Sequence, residues 1–298
     1  MIVQGEQQGH VAQIIDGKAV AKSIRAGLKT SIEEIVAKGH RRPGLAVVLV
    51  GEDPASALYV KNKIKACAEV GIESIHRKFE ANISQDELIN CVKTLSEDDS
   101  VDGILVQLPL PGDLKAEKVL EALCADKDVD GLTTASMGRL LEGKAGLRPC
   151  TPSGVIALLE HYNVPISGKR AVVIGRSNLV GKPAALLLMQ KNATVTICHS
   201  KSEQLDQICQ SADILVVAAG RKQFVKGSWV KSGACVIDVG IHHSKNEKGD
   251  SEIAGDVEFK EASRHASLIT PVPGGVGPMT IAMLLSNTLQ AYKMRTGV

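Results

Sequence analysis

The 298-residue chain reads as an α/β protein built from two Rossmann-like domains, with mostly parallel sheets flanking a cleft for substrate and cofactor. Three observations predict this. Short apolar runs alternate with longer stretches of helical periodicity from one end to the other, the pattern of βαβ units. The apolar runs are near-continuous, as in strands buried on both faces of a parallel sheet. The length exceeds that of a usual single domain, and a chain this long buries about 75% of the surface its unfolded form exposes.

Taken in order, helical spacing of apolar residues predicts a helix over 18–38, and Leu-Ala-Val-Val-Leu-Val opens a strand over 45–51. Pro54 suits the first turn of a helix over 55–70. A strand over 74–79, a helix over 85–95 and a strand over 103–108 follow. In Leu147-Arg-Pro-Cys-Thr-Pro-Ser153 two prolines bracket a helix start, so the next helix is expected over 154–162 with Thr151 or Ser153 as its cap. The remaining elements are strands over 171–175, 194–199, 213–220, 235–240 and 267–270, with helices over 183–191 and 279–294. The first domain is expected over 14–148 together with the returning C-terminal helix, 279–298, and the second over 149–278. The Pro/Gly-rich stretch over 271–278 leads into that last helix, which has no obvious place to pack inside a completed second domain.

Charged residues make up 23% of the chain, balanced to a net +2 without a block of like charge, which argues against nucleic acid or an anionic membrane as main partner. Small acidic substrates remain compatible, since a local basic pocket does not show in net charge. Seven cysteines stand singly with no C-x-x-C pair, the usage of reduced core thiols in a reducing compartment. The segment before Lys18 resembles neither a secretory signal nor an Arg-rich transit peptide, and the longest apolar runs are strand-length. A cytoplasmic protein is expected.

The segment Gly175-Arg-Ser-Asn-Leu-Val-Gly-Lys-Pro183 joins a predicted strand to a predicted helix, where a dinucleotide-binding fold places its phosphate loop. Glycines let the backbone approach a pyrophosphate, and the helix N-terminus offers unpaired N–H groups. The G-x₅-G spacing is less specific than G-x-G-x-x-G, and a ligand-free glycine turn is the alternative. An NAD site places an acid at the end of the next strand. Here that stretch reads Cys198-His-Ser-Lys201, so Arg176, Ser200 and Lys201 suit the 2′-phosphate of NADP instead.

On the helix over 55–70, Ala57, Val60, Ile64, Cys67 and Ala68 form the expected core stripe. Ser56, Tyr59, Lys63, Ala66 and Val70 form the adjacent stripe, with Lys61, Asn62, Lys65 and Glu69 toward solvent. Lys63 thus falls on the margin of the buried face. A lysine desolvated there has a lowered pKa and serves proton transfer, whereas most helix lysines only run their stems along the surface. Gln107, inside the apolar run before Pro109 and Pro111, is either a loop anchor or a site residue. Asp126-Lys-Asp-Val-Asp-Gly131 lacks the spacing of a calcium loop, and Asp130 before Gly131 is equally a turn former.

These segments occur together, and in order, as Tyr59-Val-x-x-Lys63-x-Lys65-x-Cys67, Val106-Gln-Leu-Pro-Leu-Pro111, Asp128-Val-Asp-Gly131, Pro149-Cys-Thr-Pro152, Gly175-Arg-Ser177 and Thr270-Pro-Val-Pro-Gly-Gly-Val-Gly-Pro-Met-Thr280. The whole strongly resembles the bifunctional methylenetetrahydrofolate dehydrogenase/methenyltetrahydrofolate cyclohydrolase family, from about Ile14 to the last helix. The resemblance implies that Lys63 is the lysine essential for the cyclohydrolase step, that Gln107 contacts and tunes it, and that Tyr59 lines the folate site. It implies that Asp130 binds the pterin ring and that Val106 and Leu108 belong to the substrate site. Pro273, Gly274, Gly275, Val276 and Gly277 match the loop closing over the folate cleft. Gly175, Arg176, Ser177 and Ser200 match NADP-binding positions, and Ile241 matches a backbone contact to the cofactor. The resemblance also implies a homodimer through the cofactor domain, no metal, and a place in one-carbon metabolism serving purine biosynthesis. Only the leader, Met1 to about Gln13, lies outside the pattern and reads as disordered or appended.

The residues suit that chemistry. Oxidising 5,10-methylenetetrahydrofolate moves a hydride to the nicotinamide while flanking nitrogen lone pairs stabilise the methenyl cation, so juxtaposition is the main demand. Hydrolysis to 10-formyltetrahydrofolate adds water to a cationic amidine carbon and needs a base or relay, for which a lysine of lowered pKa is suited. Two other readings stand beside this one. A dehydrogenase of the amino-acid or shikimate type shares the two-domain plan but needs a different lysine motif. A non-catalytic NADP sensor would not need Tyr59, Lys63, Gln107 and Asp130 together.

Overall fold

The computed structural model describes residues 11–245 and 250–298. In chain order the elements are β1 (Gln13–Ile14), α1 (Gly17–Ala37), β2 (Gly44–Val50), α2 (Pro54–Val70), β3 (Glu73–Phe79), α3 (Gln85–Glu97), β4 (Gly103–Val106), α4 (Ala116–Glu121), α5 (Thr134–Leu141) and α6 (Cys150–His161). Then come β5 (Arg170–Ile174), α7 (Gly181–Gln190), β6 (Thr194–Cys198), α8 (Leu205–Gln210), β7 (Ile214–Val217), β8 (Cys235–Asp238), β9 (His242–Lys245), β10 (Ser251–Ala254), α9 (Phe259–Ala262), β11 (Leu268–Ile269) and α10 (Val276–Thr296). The chain divides into two compact units. One comprises residues 19–154 and 278–298, and the other the residues up to Lys18 with 155–277.

In the first unit a parallel three-stranded sheet has the order β3-β2-β4. All seven residues of β2 are buried. Because side chains alternate across a strand, Leu45, Val47 and Leu49 enter one core while Ala46, Val48 and Val50 enter another. The first core gathers Ile32 of α1, Val60 and Cys67 of α2, and Leu285, Leu289 and Tyr292 of α10. The second gathers Leu88, Val92 and Leu95 of α3. A strand covered on both faces must be apolar throughout, which is why the run at 45–50 shows no polar alternation. Ser84 and Glu87 form a reciprocal capping box at the start of α3.

The second unit holds a six-stranded sheet of order β1-β11-β8-β7-β5-β6, parallel throughout its pairings. Strand order reverses at β5, so β6 and β7 lie on opposite sides of it. Helix α7 packs on β5 and β6. An antiparallel hairpin, β9 with β10, follows β8.

Several expectations change. Helices α6, α7 and α10 begin at Cys150, Gly181 and Val276, earlier than the expected starts at 154, 183 and 279. The cause is the same each time: Pro152, Pro183 and Pro278 suggest boundaries in the sequence, yet proline lacks only an N–H that the first turn leaves unpaired anyway. Thr151 and Ser153 therefore lie inside the first turn of α6 and are not its caps. Gln13, expected at the end of an unstructured leader, belongs to β1 and pairs with Leu268; residues 1–10 of that expectation lie outside the described residues. Strand β4 ends at Val106, leaving Gln107 just past it, although the Gln107 N–H still reaches Val48 O at 2.9 Å. Five of the seven cysteines are buried, but Cys91 is half-buried and Cys124 is exposed. Among the described residues no helix is long and apolar enough to cross a membrane, and no cluster of His, Cys, Asp and Glu is able to hold a metal ion.

Candidate functional site

Helix α2 starts on Asp53, whose carboxylate accepts the Ser56 N–H at 2.7 Å, and stops at Gly71, whose φ of 86° is left-handed. Between these caps the buried side chains are Ser56, Val60, Ala66, Cys67 and Val70, while Ala57 and Ala68 are exposed. The expected core stripe is thus rotated by part of a turn. Lys63 lies near the middle of the inward face, not on its margin. The sequence could not place the stripe because α2 carries alanines all round, and alanine marks neither face.

Lys63 Nζ donates to Gln107 Oε1 at 2.9 Å. The other end of the Gln107 amide donates to Leu108 O at 2.7 Å, which orients the oxygen toward the lysine. The following Leu108–Pro109 peptide bond is cis. Burial pushes the Lys63 ammonium below the ordinary lysine range, and Asp130 is the main group opposing that shift. Burial likewise pushes the Asp130 carboxyl up, with Lys63 opposing and Asp128 adding to the rise. Desolvation therefore outweighs attraction for both groups, lowering the lysine and raising the carboxyl.

The loop carrying Asp130 separates two kinds of aspartate. Asp128 is buried and accepts the N–H groups of Leu132 and Thr133 at 3.2 and 2.8 Å, so it builds the turn. Asp126 pairs with Arg139 at 2.7 Å on the outside. Asp130 alone belongs with Lys63. Gly131 has a φ of 69°, and a Cβ there would sit 2.5 Å from Pro149 N, so only glycine lets this loop press on the strap ahead of α6.

Two residues of this site were missed as site residues. Cys150 Sγ lies 3.2 Å from Val129 O, and its thiol also meets the Asp130 carboxyl. Burial drives that thiol well above its usual value, so it stays protonated. Asn287 of α10 donates to Val129 O and Arg148 O, both at 2.8 Å, tying the Asp130 loop to the last helix. Cys150 belongs to the Pro149-Cys-Thr-Pro152 segment, where nothing in the sequence gives the thiol a role. Asn287 stands between Ser286 and Thr288 in α10, so no contrast with its neighbours marked it out. Tyr59 lies one turn before Lys63 and is 45% exposed.

The predicted dinucleotide residues gather at the carboxyl ends of β5 and β6. Ile174 pairs with Cys198, so Gly175-Arg176 and His199-Ser200 leave the sheet side by side, and Gly175 N donates to Cys198 O at 2.9 Å. A Cβ on Gly175 would lie 2.2 Å from Ala218 O, and one on Gly181 would lie 2.1 Å from Gly175 O. The turn is therefore as tight as backbone permits, and it delivers the N-terminus of α7 beside the strand ends. Ser177 Oγ accepts the N–H groups of Val180 and Gly181 at 3.2 and 3.4 Å, holding the turn. Arg176 and Ser200 are exposed, as is Ile241 after β8. Among the described residues no acid occupies the end of β6, where His199 Nδ1 accepts the Lys201 N–H at 3.1 Å and the Ser202 hydroxyl accepts the His199 N–H at 2.9 Å.

The loop 273–277 is fixed within the second unit. Gly275 N donates to Pro271 O at 2.8 Å, and Gly274 O accepts the Lys18 N–H at 3.1 Å. A Cβ on Gly17 would overlap Gly275 O, so this loop and the start of α1 meet backbone to backbone.

Comparison with known proteins supplies a further finding. Residues 15–130 match a family model described as the tetrahydrofolate dehydrogenase/cyclohydrolase catalytic domain, and residues 149–296 match the NAD(P)-binding domain of the same family. A protein of Acetivibrio thermocellus described as bifunctional protein FolD is 51% identical over 95% of this chain and 98% of its own length. The solved structure of bifunctional FolD methylenetetrahydrofolate dehydrogenase/cyclohydrolase from Campylobacter jejuni superposes with a TM-score of 0.91 at 47% identity, covering 95% of this chain and 99% of that one. The Trypanosoma brucei enzyme, solved with NADP cofactor and an inhibitor, gives a TM-score of 0.91 at 39% identity over 97% of this chain and 99% of that chain.

Proposed function

The chain belongs to the tetrahydrofolate dehydrogenase/cyclohydrolase family, and on that premise we propose that it oxidises 5,10-methylenetetrahydrofolate with NADP⁺ and hydrolyses the methenyl product to 10-formyltetrahydrofolate. The observation that carries the reading is the desolvated Lys63, held at 2.9 Å by a neutral amide and faced by Asp130.

The unit of residues 19–154 and 278–298 takes the folate, and the unit of 155–277 takes the cofactor. The tight turn Gly175–Gly181 suits a pyrophosphate, because its glycines let backbone pack on backbone and so bring the N-terminus of α7 to the strand ends. Arg176 and Ser200 would hold the 2′-phosphate, with Ser177 keeping the turn in shape and Ile241 offering a backbone contact. Bound NADP⁺ supplies the hydride acceptor.

For hydrolysis, Lys63 in its neutral form takes a proton from the water that adds to the amidinium carbon and returns it to the nitrogen that leaves, while the remaining O–H proton passes to solvent as the C–N bond breaks and the formyl C=O forms. Burial favours this neutral form, and a cationic substrate would favour it further. Gln107 holds the amine by its oxygen without adding a charge that would raise the lysine pKa. Asp130 accepts hydrogen bonds from the pterin, and Cys150 with Asn287 keeps its loop in place. Tyr59, Val106, Leu108 and the residues Pro273, Gly274, Gly275, Val276 and Gly277 are assigned contacts to the substrate. A homodimer through the cofactor unit also belongs to this proposal; β6 is an edge of the six-stranded sheet and its Ile197 is 44% exposed. So does a cytoplasmic location.

The test is a single coupled assay. Purified protein with methylenetetrahydrofolate and NADP⁺ should form NADPH, and the methenyl product should then decay faster than in buffer. NADPH formation without accelerated decay would remove the cyclohydrolase half, and no NADPH formation would remove the whole reading.

A further inference from the structure

Beyond the residues already assigned, the cofactor unit contains two buried carboxylates stacked behind the carboxyl ends of β7 and β8. Asp256 is fully buried. Its carboxylate accepts the N–H groups of Ala219 at 2.6 Å, Gly220 at 2.9 Å and Arg221 at 2.9 Å. His242 Nε2 supplies a fourth contact at 2.7 Å. Behind it, Asp238 accepts the N–H groups of Gly240, Asp256 and Val257 at 3.0, 3.0 and 2.9 Å, while its own N–H is held by Thr270 Oγ1 at 2.7 Å. Glycines make room for both acids: a Cβ on Gly240 would lie 2.4 Å from the Asp256 carboxyl carbon, and one on Gly255 would lie 1.9 Å from Asp238 Oδ2.

This construction governs one segment in particular. Three consecutive N–H groups turned onto a single carboxylate fix the backbone path of residues 219–221. That segment directly follows Ala218, whose N–H donates to Ile174 O at 2.7 Å and whose carbonyl is what a Cβ on Gly175 would strike. Residues 219–221 therefore continue the wall begun by the dinucleotide turn, between β5 and β7, where the strand order reverses and open α/β sheets take their ligands. Buried charges are costly unless hydrogen-bonded, and a turn of three residues folds in most proteins without any. A fully buried acid devoted to one turn beside the phosphate loop is explained by what the turn must hold still.

We propose that Asp256 is a positioning residue for the dinucleotide, fixing the 219–221 segment as the second wall of the cofactor site, with His242 completing its hydrogen bonds. The proposal rests on the reading that this unit binds NADP. Asparagine at this position keeps the shape but replaces one acceptor oxygen with an NH₂ group facing backbone N–H, so the segment must shift.

The test compares wild type with Asp256→Asn in three measurements: the NADP⁺ dissociation constant by calorimetry, the dehydrogenase KM and kcat, and the rate of methenyl hydrolysis without NADP⁺. Expected are a Kd and KM for NADP⁺ raised roughly tenfold to hundredfold, the scale of a lost hydrogen bond to a charged group. Methenyl hydrolysis, whose Lys63, Gln107 and Asp130 lie in the other unit, should stay within about twofold. An unchanged Kd would overturn the proposal, as would hydrolysis and NADP⁺ affinity falling by the same factor, since that marks a purely structural role. If Asp256→Asn does not fold, wild type decides: amide exchange at 219–221 should slow when NADP⁺ is added, and unaltered exchange overturns the proposal. Wild type that binds no NADP⁺ at all would instead refute the functional reading on which this one stands.

Discussion

Replacing Lys63 with methionine separates the two activities. The perturbation is conservative in shape: methionine fills the volume of the lysine stem and removes only the amine. It relieves the cost of burying an ammonium but leaves Gln107 Oε1 without its donor, a loss of about 1–3 kcal/mol at a buried acceptor. The fold should survive. Loss of a general acid–base group costs about 10²–10⁴ in rate, or about 2.7–5.4 kcal/mol at 1.36 kcal/mol per tenfold. Among the groups acting on Lys63, the thiols of Cys67 and Cys150 are pushed up by burial and stay protonated, so neither thiol replaces the lost base. Hydride transfer needs placement rather than a base and should remain measurable, slowed by altered folate position. The assay follows NADPH formation from methylenetetrahydrofolate and, separately, decay of added methenyltetrahydrofolate. Equal losses in both, with folate still bound, would make Lys63 a positioning residue. Hydrolysis at the wild-type rate would refute the mechanism.

Arg176→Ala should weaken NADP⁺ far more than NAD⁺, by roughly tenfold to hundredfold for a charge-assisted contact to the 2′-phosphate; equal weakening in a side-by-side KM comparison would show that Arg176 does not read that phosphate. Gly131→Ala should destabilise the first unit and misplace Asp130, because the added Cβ meets Pro149 N at 2.5 Å and φ is 69°. A loss of about 1–3 kcal/mol is expected from the urea midpoint, and an unshifted midpoint would mean that the loop relaxes freely. Asp238 gives a pH signature, since burial pushes its carboxyl from 3.8 up to about 6. A raised acid pKa means the folded state binds the proton more tightly. Its favourable contribution is therefore full below 3.8 and lost as pH climbs through about 6, a change of about 3 kcal/mol. Urea unfolding between pH 4 and 7 should show that declining component in wild type and not in Asp238→Asn; parallel profiles would argue against it.

What the sequence determined by itself was the arrangement that local chemistry dictates. Continuous apolar runs such as Leu45–Val50 cannot be covered on one face only, so a parallel sheet between helices follows from composition and length. The glycines of the 175–181 turn, and the missing acid after β6, are likewise readable, because they state what backbone and charge the turn tolerates. Where side chains are ambiguous the sequence was silent or wrong. An alanine-rich helix left the inward face of α2 undetermined, and only packing of Val60, Cys67 and Val70 into the core turned Lys63 to the middle of that face. Prolines in first turns look like boundaries in sequence because their cost depends on N–H groups whose pairing only the folded helix defines. The three aspartates of 126–130 look alike in sequence and differ entirely in structure, one paired outside, one capping a turn, one beside the lysine. The roles of Asn287 and Asp256 span 158 and 37 residues respectively, from Val129 and from Ala219. Hydrogen bonds across such separations carry no periodicity and no local motif, so only the tertiary fold, by bringing distant backbone to one carboxylate or one amide, decides them.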